Sequence, residues 1–229
     1  MIGTSTLNAA LFGYSQTRRD SYFESIMTVC VVVYNTIIRE NIKLPNDENL
    51  IRDEFLNYLK CSIFKKKFAL ANLIFDKETS ENTGRADIRV LPTKDEYVND
   101  EAYYLIECKR LDNKNVLGKT GLNAEYIKNG ICRYVYGYYS TFYNVNATFG
   151  FVVEQMNITT NLNNINSLLP NTYINQQKCL VNANATQNIT YNDFANGYPY
   201  SYLSKHNHNS GKEITLYHLM FDFSKNIVP

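Results

Sequence analysis

The chain has 229 residues, of which 45% are hydrophobic and 20% charged, with a formal net charge of +1. That balance excludes a disordered or collagen-like chain and leaves enough apolar material for a sizeable core. A near-neutral total neither demands nor excludes a nucleic-acid partner, so any phosphate-binding surface must be local.

Cys30, Cys61, Cys108, Cys132 and Cys179 are odd in number and widely spaced, with no C-x-x-C pair. They read as free thiols in a reducing cytosol. The N-terminus lacks a signal-peptide plan, and the longest apolar run, Ile26 to Val33, is too short to span a bilayer. A soluble, cytoplasmic chain without membrane contact is expected.

Residues 1–18 are weakly patterned and read as a loosely held arm. Apolar residues at Phe23, Ile26, Met27, Cys30, Val33, Tyr34, Ile37 and Ile38 follow the i, i+3, i+4, i+7 spacing, predicting a helix over about 21–41 packed on the core. After Pro45, Asn46-Asp47 can cap a second helix from Glu48 to about Ser62. Lys65-Lys66-Lys67 then reads as a charged turn. Three strands are predicted next: Phe68 to Phe75, Ala86 to Leu91, and Ala102 to Cys108, with a turn at Thr83-Gly84. Gly118 and Gly121 mark a loop before a helix over about Asn123 to Tyr138. A strand at Phe149 to Val153 and a helix capped by Asn157 follow. Beyond Pro170 the pattern weakens to one short strand near Tyr173 to Val181, a long loop through Gly211, and a final strand from Ile214 to Phe223. The expected fold is α/β, a mixed central sheet with an αβββαβ core over about 46–155. It forms a single domain over 1–229, with an N-terminal helix and a C-terminal elaboration over about 156–229.

Within this order one stretch is awkward for a core. On the third strand Leu105, Glu107 and Lys109 share one face, while Tyr104, Ile106 and Cys108 share the other. Asp87 lies on the preceding strand. Buried acids and bases are costly unless paired or holding a metal.

An acid on the second strand and Glu-x-Lys on the third, here Asp87 with Glu107, Cys108 and Lys109, resemble the PD-(D/E)XK nuclease superfamily over roughly residues 46–155. Arg85-Ala86-Asp87 stands where the eponymous motif has Pro-Asp. The resemblance implies an endonuclease that cleaves DNA in restriction or anti-phage defence. It implies Mg²⁺ (with Mn²⁺ able to substitute) on Asp87, Glu107 and the backbone carbonyl of Cys108. Lys109 would orient or deprotonate the attacking water; burial should lower its proton affinity and the carboxylates should raise it, and the sequence leaves that contest open. A further glutamate is expected from the preceding helix, with Glu48 preferred over Glu54. Asn129, Arg133, Lys128, Arg110 and His206 are candidates for nucleic-acid contact. The C-terminal half would shape the substrate site or form a homodimer.

Several features are set aside. His206-Asn207-His208 spells HNH by chance in a polar loop. No Walker-type, GxGxxG or GxSxG motif occurs, so no nucleotide cofactor is expected. The alternatives are a catalytically inactive nucleic-acid-binding or scaffold module on the same fold, and a nuclease acting on RNA or branched DNA.

Overall fold

The apolar stripe near the N-terminus folds as α1, Tyr14–Arg39, which begins earlier than the expected 21 and takes in part of the expected arm. The computed structural model describes residues 14–81, 84–93, 102–139 and 142–228; the rest of that arm and the Thr83 turn position lie outside them. By length and composition Asp20–Arg39 is sufficient to cross a membrane, which corrects the expectation that no segment is. Its Phe23, Ile26, Met27, Cys30, Val33 and Ile37 are nonetheless buried against the sheet, and Phe23 stacks on Tyr104 at 4.4 Å.

Strand β1 (Leu44–Pro45) pairs in parallel with β11 (Ile227–Val228) and leads into α2, Glu48–Lys60. Asp47 caps α2 as expected, accepting from the amides of Asn49 (2.9 Å) and Leu50 (3.0 Å). Cys61 breaks the helix, and α3, Ser62–Lys67, follows where a charged turn was expected, so that the strand expected over Phe68 to Phe75 starts only at Leu73. Phe64 and Phe68 are an i, i+4 pair with ring centroids 4.6 Å apart, so this apolar run obeys helical periodicity. The three lysines fall in the last turn, where cations oppose the helix dipole.

Strands β2 (Leu73–Glu81), β3 (Gly84–Pro92) and β4 (Tyr104–Leu111) form an antiparallel meander. The next helix, α4, opens over Leu122–Glu125, winds as a π-helix over Tyr126–Ile131 and closes with an α turn over Cys132–Val135. It returns the chain to β5, Val145–Val152, which runs parallel to β4. The observed order is therefore the expected αβββαβ in a mixed α/β fold.

The C-terminal half is richer than expected. Asn157 caps α5, Ile158–Leu168, accepting from Thr160 N at 2.8 Å. A small hairpin, β6 (Tyr173–Ile174) with β7 (Leu180–Val181), replaces the single expected strand. The expected long loop contains β8 (Ala185–Tyr191) and β9 (Ser201–Asn207), and β10 is Glu213–Asp222. The seven-stranded sheet runs β2-β3-β4-β5-β10-β9-β8. Because β10 lies between β5 and β9, the last strands complete one sheet with the core.

Helices α1 and α2 cover one face of that sheet, α4 and α5 the other. The alternation on β4 follows the expected faces: Tyr104, Ile106 and Cys108 join the core beneath α1 and α2, and Leu105 and Leu111 the core beneath α4 and α5.

Candidate active site

The site forms where β3 and β4 part. Their paired residues end at Ile88 and Ile106, and beyond that point the Asp87 carboxylate takes the place of a strand partner. Its Oδ2 accepts the Cys108 N–H at 2.8 Å, and its Oδ1 accepts from Arg52 at 3.0 Å. Arg52 lies one helical turn after Glu48 and is 1% exposed, also holding Asp53 (2.9 Å) and Glu78 (3.2 Å). A guanidinium so deep in a fold survives only by satisfying several carboxylates at once.

Glu107 is fully buried. Its Oε1 meets Lys109 Nζ and Arg133, each at 2.8 Å, while its Oε2 accepts from the Tyr139 hydroxyl at 2.7 Å. Burial, together with the Asp87 charge, pushes the Glu107 carboxyl up to about 7 despite the opposing pull of Lys109 and Arg133.

Lys109 Nζ sits at the centre of the cluster. It is 2.6 Å from the Cys108 carbonyl, 2.8 Å from Glu107, 2.9 Å from Glu48 and 3.8 Å from Asp87. Burial pulls its proton affinity down, but Glu107, Asp87 and Glu48 together outweigh that and hold it above the ordinary lysine range. The opposition left open by sequence thus resolves in favour of the carboxylates. Glu48 Oε2 also accepts the Arg110 N–H at 3.0 Å. Glu54 stays outside the cluster, bonded to Asn57 on the exposed side of α2.

Gly130 explains how α4 approaches so closely. A Cβ there would lie 3.2 Å from the Thr148 methyl on β5, tighter than ordinary contact, and 3.7 Å from Lys109 Cγ, so a side chain would press on β5 beside the lysine.

The residues expected to touch nucleic acid are mostly engaged elsewhere. Arg133 is bonded to Glu107 and Tyr139, making it part of the cluster. Lys128 and Asn129 both pair with Glu125. The Arg110 guanidinium bonds the Asn46 carbonyl and side chain at 2.8 and 2.7 Å.

His206 is a correction: it lies on β9, fully buried, where no phosphate can reach it. Its contacts fix a chain of hydrogen bonds. The Ala183 carbonyl only accepts, so His206 Nδ1 donates to it (2.7 Å) and Nε2 accepts from Ser204 (2.7 Å). Ser204 has then spent its proton, so His218 Nε2 donates to Ser204 and His218 Nδ1 accepts from Tyr126, each at 2.7 Å. Every donor points one way, and both imidazoles are neutral. Burial lowers His206 to about 4 and holds His218 well below the ordinary histidine range.

Arg52, Glu78 and Tyr139 escaped the sequence reading. Arg52 carried a usable signal, its i+4 spacing from Glu48 on one helix face. Tyr139 carried none among 19 tyrosines.

The donors around Lys109 Nζ are carboxylate and carbonyl oxygens, the hard set that suits Mg²⁺ or Mn²⁺. Among the described residues, no group of three or more His, Cys, Asp or Glu side chains is arranged as a ready metal cage. The ammonium holds the position on which the oxygens converge. The set fits a hard cation in kind, provided Lys109 Nζ withdraws. No family model matches this chain, and neither does any curated protein or solved structure.

Proposed function

We propose that the protein is a nuclease of the PD-(D/E)XK type, dependent on Mg²⁺ or Mn²⁺, that hydrolyses phosphodiester bonds in DNA. The observation that carries this reading is the convergence of Glu48, Asp87, Glu107 and the Cys108 carbonyl on one point filled by the Lys109 ammonium. Asp87, Glu107 and the Cys108 carbonyl are the residues that would hold the cation, which supplies Lewis-acid stabilisation of charge on the phosphate.

The chain's own groups divide the remaining work. Lys109, kept protonated by its carboxylate neighbours, acts as a donor to a phosphate oxygen and stabilises the charge that develops there. Glu48 is the most exposed of the three carboxylates at 30%, and it accepts the proton of the attacking water. Arg52 and Arg133 with Tyr139 hold Asp87 and Glu107 in place. A cytoplasmic role in restriction or anti-phage defence is consistent with five cysteines that are all free thiols.

One observation favours a second reading, a catalytically inactive binding or scaffold module. Each carboxylate oxygen of Asp87 and Glu107 already has a donor. Incubating supercoiled plasmid, linear RNA and branched DNA with the protein, with and without Mg²⁺ or Mn²⁺, separates the two. Metal-dependent cleavage lost in Asp87→Ala and Lys109→Ala supports the nuclease. Equal cleavage by all three proteins removes the site, and binding without cleavage of any substrate favours the module. Cleavage confined to RNA or branched DNA keeps the site and changes the substrate.

A further inference from the structure

On the side of the sheet that carries α4 and α5 lies a cleft of about 400 Å³, within the range of ligand pockets. Asn182, Asn184, Asn188 and Asn207 supply its polar lining, with Leu169 and Pro170 beside them, and no charged residue lines it. The Asn182 side chain is committed, accepting the Asn184 N–H at 3.1 Å. Among the described residues, the carboxamides of Asn184, Asn188 and Asn207 make no hydrogen bond. Three free carboxamides in one concavity present donors and acceptors together, with no charge to attract a phosphate.

The β6–β7 hairpin links this cleft to the catalytic cluster. Its stem starts beside Pro170 and returns at Asn182. Its tip, Asn175 to Gln177, lines a small pocket together with Arg133, the residue bonded to Glu107. Asn175 anchors that tip to the Tyr138 hydroxyl at 2.5 Å. The five residues from Pro170 to Asn175 can span at most roughly 17 Å, which bounds the separation at a few nucleotides.

Resting on the nuclease reading, we infer that the asparagine cleft binds a nucleobase of the substrate strand a few nucleotides from the cut bond. A carboxamide pairs with adenine through N6 and N7, so adenine is the base it selects. The contribution is neutral and therefore hardly salt-dependent, unlike that of phosphate contacts.

The test measures anisotropy of labelled oligonucleotides with Ca²⁺ replacing Mg²⁺, comparing wild type with Asn184→Ala/Asn188→Ala over a salt series. Both side chains are exposed and unbonded, and an unchanged Tm verifies the fold of the variant. Wild type should prefer adenine at one position. The variant should lose about tenfold in affinity for that sequence, about 1.4 kcal/mol, with the salt slope unchanged and kcat at saturating DNA retained. Free adenosine should compete where a neutral disaccharide does not. Equal affinity of both proteins for every sequence, a changed salt slope without a changed preference, or competition by the disaccharide would overturn the inference. If wild type cleaves with metal while the variant binds identically, the cleft assignment alone fails. If wild type neither binds nor cleaves any nucleic acid, both assignments fail.

Discussion

On the nuclease reading, Lys109 and a divalent cation would compete for the same oxygens, and that competition would govern the site. With its ammonium 2.6–2.9 Å from three of them, the lysine offsets charge that would otherwise be buried unpaired. Lys109→Met removes the competitor while keeping the stem. We expect Mn²⁺ to bind that variant about tenfold more tightly, while cleavage falls by a hundredfold or more (on the order of 3 kcal/mol of transition-state stabilisation). Calorimetry and initial rates report the two effects separately. Glu107 adds a pH dependence. Its pKa is raised in the folded protein, so the folded state binds the proton more tightly than the unfolded one, and stability drawn from it declines as pH rises from about 4.5 towards 7. A cation must displace that proton. Apparent Mn²⁺ affinity should therefore rise about tenfold per pH unit below 7 and level off above it. An affinity flat between pH 5 and 8 would mean that Glu107 is no ligand.

At the scale of elements, the parts that were legible in the sequence are those whose periodicity and caps agree. Asp47 and Asn157 announce α2 and α5, and the alternation of Tyr104 to Lys109 announces β4 and its polar face. Strands β8 and β9 were hidden for opposite reasons. β8 is an exposed edge with register shifts, so it shows no apolar alternation. β9 buries Ser204 and His206, residues that read as loop until their hydrogen bonds are known. The one-way chain from Tyr126 to Ala183 is what makes that burial affordable. Ser204→Ala leaves His206 and His218 each lacking a partner and should destabilise the fold by about 1–3 kcal/mol, read as a lower urea midpoint. Both histidines titrate lower in the folded state than in the unfolded one. Their stability is present in full above about 6.5 and is lost as pH falls through the folded-state values, about 4 for His206. Denaturation midpoints unchanged between pH 7 and 4.5 would argue against neutral, donor-ordered imidazoles.

For the whole molecule, strands from residues 156–229 complete the central sheet. The sequence places the αβββαβ order over 46–155 and treats the remainder as an addition, because no local pattern tells which strand neighbours β5. Parallel pairing of β10 with β5 over Thr215–Asp222 makes the C-terminal strand central. A chain ending at residue 155 should therefore expose one whole edge of β5 together with Phe149 and Phe151, and be recovered as aggregate. A soluble, cooperatively unfolding 1–155 fragment would show that the core is autonomous. The site was legible as Asp87, Glu107, Lys109 and Glu48, whereas Arg52 and Tyr139 needed three-dimensional proximity to emerge.

The nuclease reading requires a cation to enter the cluster before any substrate is cut, so Mn²⁺ titration by calorimetry addresses that reading without knowledge of the substrate. One saturable site should appear in the wild type, tighten in Lys109→Met and vanish in Asp87→Ala/Glu107→Gln. Absence of binding in both wild type and Lys109→Met would contradict a catalytic cation at Asp87, Glu107 and Cys108 and leave the cluster as a buried ion-pair network.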